Sequence, residues 1–224
     1  KLTSEDISDS TMSSVKYYLE NKERNAKLSA AVDIVYNREL MTSYTAADFK
    51  RADCNYTFID NNSDGTYEVV MIEYYTSAVI NQISYSDKIV SLTGGDMVEL
   101  DEYFEDGYKM YDQKGLELNA DMIARSQVLS YMVGASGKIT NIIICSHKET
   151  GTVDGFRDNK DYVTINGTEY KCTKEYVSNA KKKEVNLGDY VTASLDFLGY
   201  VVDIDVGKTG GRTAYFIGIA DAGF

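Results

Sequence analysis

The sequence predicts an all-β protein with a few short helices, built as small β-barrel or bent-sheet modules in tandem with an internal repeat. Three observations lead to this fold class. Apolar and polar residues alternate with a period of two, turn-forming pairs such as Asn166-Gly167 separate the alternating stretches, and the middle of the chain is similar to its end. A period of two sends alternate side chains to opposite faces of a strand, which is typical of half-buried sheet.

The alternating stretches are short and rich in Val, Ile, Tyr and Thr. They predict strands at residues 15–19, 32–36, 56–59, 66–75, 78–83, 88–92, 138–145, 161–165, 190–195, 200–206 and 213–217. Asn166-Gly167 is the strongest hairpin signal, because both central residues of a type I′ turn need positive φ. Residues 134–137 and 196–199 predict two further hairpin loops. Short helices are expected at 45–50, where Thr45 and Asp48 form a capping-box pattern, at 119–125 and at 174–183.

The internal repeat appears when the middle of the chain is aligned with its end. Val90 aligns with Val163 at an offset of 73 residues, and Gly137 aligns with Gly199 at an offset of 62. The difference of 11 residues predicts an insertion in the first copy near residues 108–115. Chance similarity between two tyrosine-rich β segments is the alternative explanation.

The repeat divides the chain into four expected segments. Residues 1–75 form an N-terminal β-rich module with an acidic loop, and 76–148 and 149–206 form the two repeats. Residues 207–224 form a terminal strand, which pairs with the N-terminal segment or opens a further module. We favour the second arrangement, because a strand at the end of a chain usually belongs to a sheet that is completed elsewhere.

Charge and cysteine content limit the classes of function. Lys and Arg number 23 against 35 Asp and Glu, a formal net charge of −12, which argues against nucleic acid as a partner. No apolar segment is long enough to span a membrane. Cys54, Cys145 and Cys172 lie far apart and lack the spacing of a zinc site, so at most one disulfide can form. We expect Cys145 and Cys172 to be small buried apolar residues.

The sharpest local motif is the acidic loop at residues 60–68, with the sequence Asp-Asn-Asn-Ser-Asp-Gly-Thr-Tyr-Glu. Side-chain oxygens stand at its first, third, fifth and ninth positions, a glycine that permits positive φ stands at the sixth, and a free backbone carbonyl stands at the seventh. The predicted ligands are Asp60, Asn62, Asp64, Thr66 and Glu68, and their all-oxygen chemistry favours Ca²⁺.

Two alternatives to that reading follow from the same residues. An EF-hand would need a glutamate at the twelfth position, where Met71 stands instead. The nine-residue spacing resembles calcium loops that lie between β-strands, as in the FG-GAP repeats of β-propellers. The competing interpretation is an Asx-rich β-turn whose acids are solvated.

Residues with catalytic potential are few, and we expect no enzymatic activity. His147 is the only histidine and follows Cys145 by two residues. On a strand, this spacing does not allow the short hydrogen bond that a catalytic base must form with its nucleophile. We expect it at the surface. The acidic residues within 96–106 could supply a carboxylate pair for glycoside hydrolysis, but charge-rich stretches usually form solvated faces. The 19 tyrosines suggest carbohydrate stacking, which the absence of Trp disfavours.

Six short phrases of the sequence carry a resemblance to known proteins, at residues 26–29, 35–37, 44–48, 58–70, 151–170 and 213–217. Together they resemble a family of large secreted proteins of Gram-positive anaerobes that end in S-layer homology domains. In that family a strand and an acidic loop precede two small β modules. The sequence departs from the family at Asn37-Arg38, where a turn glycine is common, and at Asn62 and Glu68, where aspartates are common.

The resemblance implies an extracellular, cell-surface location. We therefore expect a non-catalytic structural or stalk module of a multidomain bacterial protein, stabilised by calcium. A bound cation would lock the junction between the N-terminal module and the first repeat. The expected partners are other modules of the same protein or cell-wall components, with a glycan as a further candidate. The alternatives are an adhesion or carbohydrate-binding module and the accessory region of a larger extracellular hydrolase.

Overall fold

The computed structural model describes residues 1–179 and 184–207. It is an all-β structure with short helices, as predicted, and its strands form three sheets that follow one another along the chain. The predicted strand at 213–217 and the end of the predicted helix at 174–183 lie outside the described residues. No helix within the described ranges is both long enough and apolar enough to cross a membrane.

The first sheet has the strand order β1-β6-β7-β4-β3-β2, with β5 paired to the end of β4. Its strands are β1 (Leu2–Thr3), β2 (Ile7–Ser10), β3 (Ser14–Leu19), β4 (Lys22–Tyr36), β5 (Glu39–Leu40), β6 (Asn55–Ile59) and β7 (Thr66–Glu73). The β4–β7 pair is parallel and the others are antiparallel. Short 3-10 turns lie at Ser4–Asp6 and Ala46–Lys50, and the second of these has the predicted Thr45–Asp48 capping box.

The second sheet has the order β10-β9-β8-β13-β14-β11-β12. Its elements are β8 (Thr76–Ser84), β9 (Ile89–Leu92), β10 (Met97–Glu99), α1 (Leu100–Glu105), β11 (Met110–Asp112), β12 (Glu117–Leu118), a 3-10 turn (Ala120–Met122), β13 (Val128–Val133) and β14 (Ile139–Cys145). Within α1, Leu100 and Tyr103 are buried, while the acidic side chains face solvent, as expected for that charged stretch.

The third sheet has the order β17-β16-β15-β18-β19. Its elements are β15 (Lys148–Arg157), a 3-10 turn (Asp158–Lys160), β16 (Tyr162–Ile165), β17 (Thr168–Lys171), α2 (Lys174–Ser178), β18 (Tyr190–Leu195) and β19 (Val201–Val206). Asn166 (φ +48°) and Gly167 (φ +77°) form the predicted turn between β16 and β17. The loops at 134–137 and 196–199 connect β13 to β14 and β18 to β19.

Each sheet has its own apolar core, and all three sheets are open within the described residues, so the bent-sheet form of the prediction applies and the barrel form does not. Closing a sheet removes strand edges that would otherwise pair with other chains. Several edge strands here are only two or three residues long, namely β1, β10 and β12. Short edges expose few unpaired backbone groups, which reduces the need for closure.

Buried polar contacts join the first sheet to the second. Asn37 follows β4 and is 1% exposed. Its side-chain amide donates to the carbonyl oxygen of Val133 over 2.8 Å and accepts from the backbone amide of Tyr74 over 2.8 Å. The hydroxyl of Thr140 donates to the backbone carbonyl of Asn37 over 2.6 Å. A single turn residue therefore links the ends of β7, β13 and β14.

The third sheet packs against the same region. The Tyr75 and Phe197 rings meet edge to face, with centroids 4.6 Å apart. Val79, Val128 and Cys145 of the second sheet form an apolar cluster with Val202 of the third. The linker between β7 and β8 is Tyr74-Tyr75, so the contacts of all three sheets converge on two consecutive residues.

Candidate metal centre

The acidic loop connects β6 to β7 at one end of the first sheet. Its flanks are fixed by aromatic packing, because Phe58 of β6 meets Tyr67 of β7 edge to face with ring centroids 5.6 Å apart. Tyr17 of β3 stacks on Phe58 at 6.5 Å. The aromatic contacts hold the two strands in register at the point where the loop leaves the sheet.

Backbone amides of the loop point at its first carboxylate. Ser63 donates its amide to Asp60 Oδ1 over 2.6 Å, and Gly65 donates its amide to Asp60 Oδ2 over 2.9 Å. Gly65 has φ +84°, a conformation that glycine adopts at little cost. The positive φ at the predicted sixth position turns the loop back around Asp60.

Side chains of other predicted ligands also accept hydrogen bonds from backbone amides of the loop. The Asn62 side-chain oxygen accepts from the Asp64 amide over 2.9 Å, and Asp64 Oδ1 accepts from the Thr66 amide over 2.7 Å. Glu68 Oε2 accepts from the Asn61 amide over 2.7 Å, which draws the last acid of the motif towards the loop. The loop is therefore closed at both ends by its own side chains.

Three of the five predicted ligands are brought together as a cluster. One carboxylate oxygen from each of Asp60, Asp64 and Glu68 lies within 4.8 Å of the other two. Asn62 and Thr66 lie in the same loop, with Asn62 bonded to Asp64 through both atoms of its amide. Oxygen donors at this spacing suit a hard cation such as Ca²⁺, which accepts six to eight oxygens in flexible geometry.

Hydrogen bonding favours the charged form of one member of this cluster, Asp64. The hydrogen bond from the Thr66 amide lowers the pKa of Asp64 below its usual value, and the nearby positive charge of Lys27 acts in the same direction. An ionised carboxylate is the form that binds a metal ion. Three like charges at this separation repel one another, and a cation would remove that repulsion.

The loop lies far from the junction between the sheets. It precedes Thr66, the first residue of β7, whereas the junction follows Glu73, the last residue of the same strand. Seven residue steps along a strand span roughly 23 Å. A cation in the loop would therefore stabilise the outer end of the first sheet and would not contact the junction, contrary to the expectation from the sequence.

A second concave region, a cleft between the first and third sheets, could not be identified from the sequence. It encloses about 670 Å³ including its open mouth. Four of its six charged groups pair across the gap, with Lys171 Nζ 2.9 Å from Glu5 Oε1 and Lys174 Nζ 3.4 Å from Asp53 Oδ2. Because these charges neutralise one another, we interpret the cleft as a contact between two sheets.

Two further carboxylates line this cleft, those of half-buried Glu175 and buried Asp196. The Tyr74 hydroxyl donates to Glu175 Oε1 over 2.6 Å. Asp196 is only 3% exposed, and its Oδ1 accepts from the amides of Leu198 and Tyr200 over 2.9 and 2.8 Å. Burial raises the pKa of Asp196, although the hydrogen bonds from Tyr200 and Leu198 act in the opposite direction.

The other candidate residues do not assemble into a site. His147 is exposed, as expected, and its Nε2 lies 3.0 Å from Glu149 Oε1. The three cysteines are buried and form no disulfide with one another, and burial raises the pKa of Cys54 to about 11. Cys145 contacts Gln113 and does not pair with His147 through its side chain. A thiol with a raised pKa is a poor nucleophile at neutral pH.

Comparison with known proteins adds no relative to these observations. The sequence matches no model of a protein family, and no curated protein is similar enough to be counted as a relative.

Proposed function

We propose that this chain is a non-catalytic structural or stalk module of a bacterial cell-surface or secreted multidomain protein, stabilised by Ca²⁺ at the acidic loop. The observation that carries the proposal is the way the sheets are joined. Buried hydrogen bonds of Asn37 link the first sheet to the second, and the packing of Phe197 on Tyr75 links the third to both. Such connections transmit force between sheets, which is what a spacer requires.

The arrangement of ionisable groups supports a structural role. Acids and bases in the cleft between the first and third sheets are engaged in ion pairs, and buried Asp196 is engaged by backbone amides. A catalytic acid or base needs a free position for substrate. The net charge of −12 would keep such a module soluble, and Ca²⁺ would reduce repulsion locally.

We also infer that residues 76–148 and 149–206 are copies of one unit. The order β10-β9-β8-β13-β14 in the second sheet corresponds to β17-β16-β15-β18-β19 in the third, strand for strand along the chain. In each case a short helix, α1 or α2, follows the third strand. The extra strands β11 and β12 fall where the sequence alignment predicts the insertion. This correspondence supports duplication over chance similarity.

Calcium dependence of stability tests the role of the loop. A cation at 100 times its Kd should raise the free energy of unfolding by about 2.7 kcal/mol, which corresponds to roughly 5–10 °C in Tm for a chain of this size. We expect this difference between excess Ca²⁺ and chelator in the unaltered protein. The difference should disappear in the double variant Asp60→Asn/Asp64→Asn.

A matched control removes the same charge elsewhere. Asp96→Asn/Glu105→Gln neutralises two exposed acids of the second sheet, so it should retain the response to Ca²⁺. If the unaltered protein melts at the same temperature with and without Ca²⁺, the cation has no place in the proposed function. Binding of an oligosaccharide would instead favour the adhesion alternative.

A further inference from the structure

We propose that the exposed end of the third sheet is a docking surface for the closing hairpin loop of a further unit of the same fold. The closing hairpin loop is the loop between the last two strands of a unit, residues 134–137 in the second sheet and 196–199 in the third. The inference rests on the proposed structural role, but it concerns a surface other than the acidic loop, so each can fail alone.

The loop at 134–137 docks on the preceding sheet. The Ser136 amide and hydroxyl both donate to the Glu39 carboxylate, each over 2.7 Å. The approach is close, because a β-carbon added to Gly134 would lie 2.4 Å from Glu39 Cδ. Val133, immediately before the loop, receives the hydrogen bond of Asn37.

The loop at 196–199 also contacts the preceding sheet, but here the loop supplies the acceptor and the sheet supplies the donor. Asp196 Oδ2 accepts a 3.4 Å hydrogen bond from the Ser77 hydroxyl, and Phe197 packs on Tyr75. Both loops therefore contact the sheet that precedes their own. Two occurrences in one chain define a rule for how successive units connect.

The surface that receives the second loop has a recognisable centre. Ser77 of β8 and Ser130 of β13 are direct partners in the antiparallel register, with their hydroxyl oxygens 2.8 Å apart. They are 1% and 0% exposed, because the third sheet covers them. The next pair on the same face, two positions along the register, is Val79 and Val128, which form the apolar part of the contact.

The third sheet carries the same arrangement in an exposed state. Thr150 of β15 and Thr192 of β18 are direct register partners, with hydroxyl oxygens 3.4 Å apart. Strands β15 and β18 hold the same central places in their sheet as β8 and β13. Thr150 is exposed, whereas Ser77 at the corresponding place is buried.

The surroundings of this pair fit a docking contact. Tyr190 takes the place of Val128 and is 49% exposed, so an apolar ring lies where the second sheet has its buried contact. Lys148 takes the place of Tyr75, is exposed, and forms no ion pair within the described part of the chain. The ammonium group of Lys148 beside the hydroxyl pair complements a loop carboxylate such as that of Asp196, and Asp205, the register partner of Thr192, is the acidic group in the same row.

The partner is thus specified by its chemistry. It is a β unit whose closing hairpin loop presents an acidic residue to Lys148 and Thr150 and an apolar residue to Tyr190. We place this unit further along the same polypeptide, where it would follow the third sheet as the third sheet follows the second. The contact would extend the row of sheets in the direction set by the first two junctions.

The test adds such a unit to the full chain. A second copy of residues 146–207 is inserted between Gly207 and Lys208, which repeats the spacing by which the third sheet follows the second. Thr150→Cys in the first copy then reports on coverage through its rate of reaction with a thiol reagent, measured in the parent and the extended chain. We expect at least tenfold slower labelling in the extended chain. Ser86→Cys, an exposed site on the second sheet, should react equally in both.

Two further variants decide the result. Replacing the second copy of Asp196 by Ser should restore most of the labelling rate, since the carboxylate would be lost. Cys172 is buried in the folded unit, so slow labelling of Cys172 in the inserted copy, measured in the same sample, shows that this copy is folded. Equal labelling rates of Thr150→Cys in the parent and the extended chain would overturn the proposal. An inserted copy that stays unfolded would also overturn it, because the same sequence folds in the parent chain, where it docks on the second sheet.

Discussion

The hydroxyl of Thr140 donates to the backbone carbonyl oxygen of Asn37 across 2.6 Å, and both residues are buried. The two residues are separated by 103 positions in the chain. Their contact joins the turn after β4 to β14, and hence the first sheet to the second. Because Asn37 also bonds Val133 and Tyr74 through its side chain, its loss should affect the whole junction.

The variant Asn37→Gly should lower the free energy of unfolding by about 2–4 kcal/mol. It removes the partner of the Val133 carbonyl and that of the Tyr74 amide, both in part-buried hydrogen bonds, at about 1–2 kcal/mol each. Glycine adopts the positive φ of residue 37 (+47°) without strain, so backbone conformation does not contribute. Urea unfolding measures the change. Asn37→Ala should lose more, and a glycine variant as stable as the unaltered protein would contradict the importance of these bonds.

The variant Gly65→Ala should lower stability by about 1 kcal/mol and weaken any cation binding at the acidic loop. A β-carbon there meets no atom within 4 Å, so the cost arises only from φ +84°. Gly65→Asn is the control, because asparagine tolerates positive φ. Thermal unfolding with and without Ca²⁺ compares the two. An alanine variant that behaves like the asparagine variant would show that the turn conformation is not limiting.

The variant Gly134→Ala should cost about 1 kcal/mol in the unaltered protein and close to nothing in a Glu39→Ala background. The added methyl group would displace the Glu39 carboxylate, which receives both hydrogen bonds of Ser136. Without that carboxylate there is nothing to displace. A double-mutant cycle by chemical unfolding measures the coupling, and strictly additive losses would contradict the contact.

The contribution of Asp196 to stability should depend on pH. Burial raises the pKa of Asp196 in the folded protein, so the folded state binds a proton there more readily than the unfolded chain, where the value is near 3.8. As pH falls from neutrality through the raised pKa towards 3.8, this group's contribution to the free energy of unfolding increases; as pH rises, it is lost.

Comparison with Asp196→Asn isolates this contribution, since asparagine is similar in shape and does not titrate. We expect the unaltered protein to gain stability relative to the variant as pH falls from 7 towards 4, measured by urea unfolding at several pH values. A stability difference that stays constant over this range would contradict a raised pKa.

The three cysteines should resist thiol reagents in the folded protein at pH 7 to 8. Cys54, Cys145 and Cys172 are 3%, 1% and 5% exposed, and burial raises the pKa of Cys54 to about 11 and that of Cys145 above its usual value. Only the thiolate reacts. Labelling should count three thiols in denaturant and none in its absence over minutes. Rapid reaction of a single thiol in the folded protein would identify a cysteine that becomes accessible.

Alternation of side chains was sufficient to find the strands that have one buried face. In β18, Val191, Ala193 and Leu195 point into the core, and this pattern predicted residues 190–195 as a strand. The same rule predicted only residues 32–36 of β4, which begins at Lys22. Residues 22–25 of β4 are polar and exposed, and only Ala26 and Leu28 are buried before Val32, which is too short an alternation to mark a strand. The strand β15 was also missed, because its glycines and charged residues interrupt the alternation of apolar and polar side chains. It is held in the sheet by pairing with neighbouring strands.

The conformation of the acidic loop was predictable because its five predicted ligands lie within nine residues of one another. Its wrapping around Asp60 uses only amides of the same loop, so local sequence defines it. The junction residues were not predictable, because Asn37, Thr140 and Asp196 gain their roles from partners many residues away. No local pattern distinguishes a turn asparagine that faces solvent from one that joins two sheets.

By itself, the sequence determined the all-β class, the hairpin turns and the composition of the acidic loop, since each depends on neighbours along the chain. Tertiary structure alone decided that the sheets remain open, that the closing loops dock on the preceding sheets and that the acidic loop lies away from the junction. Those features depend on which surfaces meet, and burial between distant segments is a property of the folded chain as a whole.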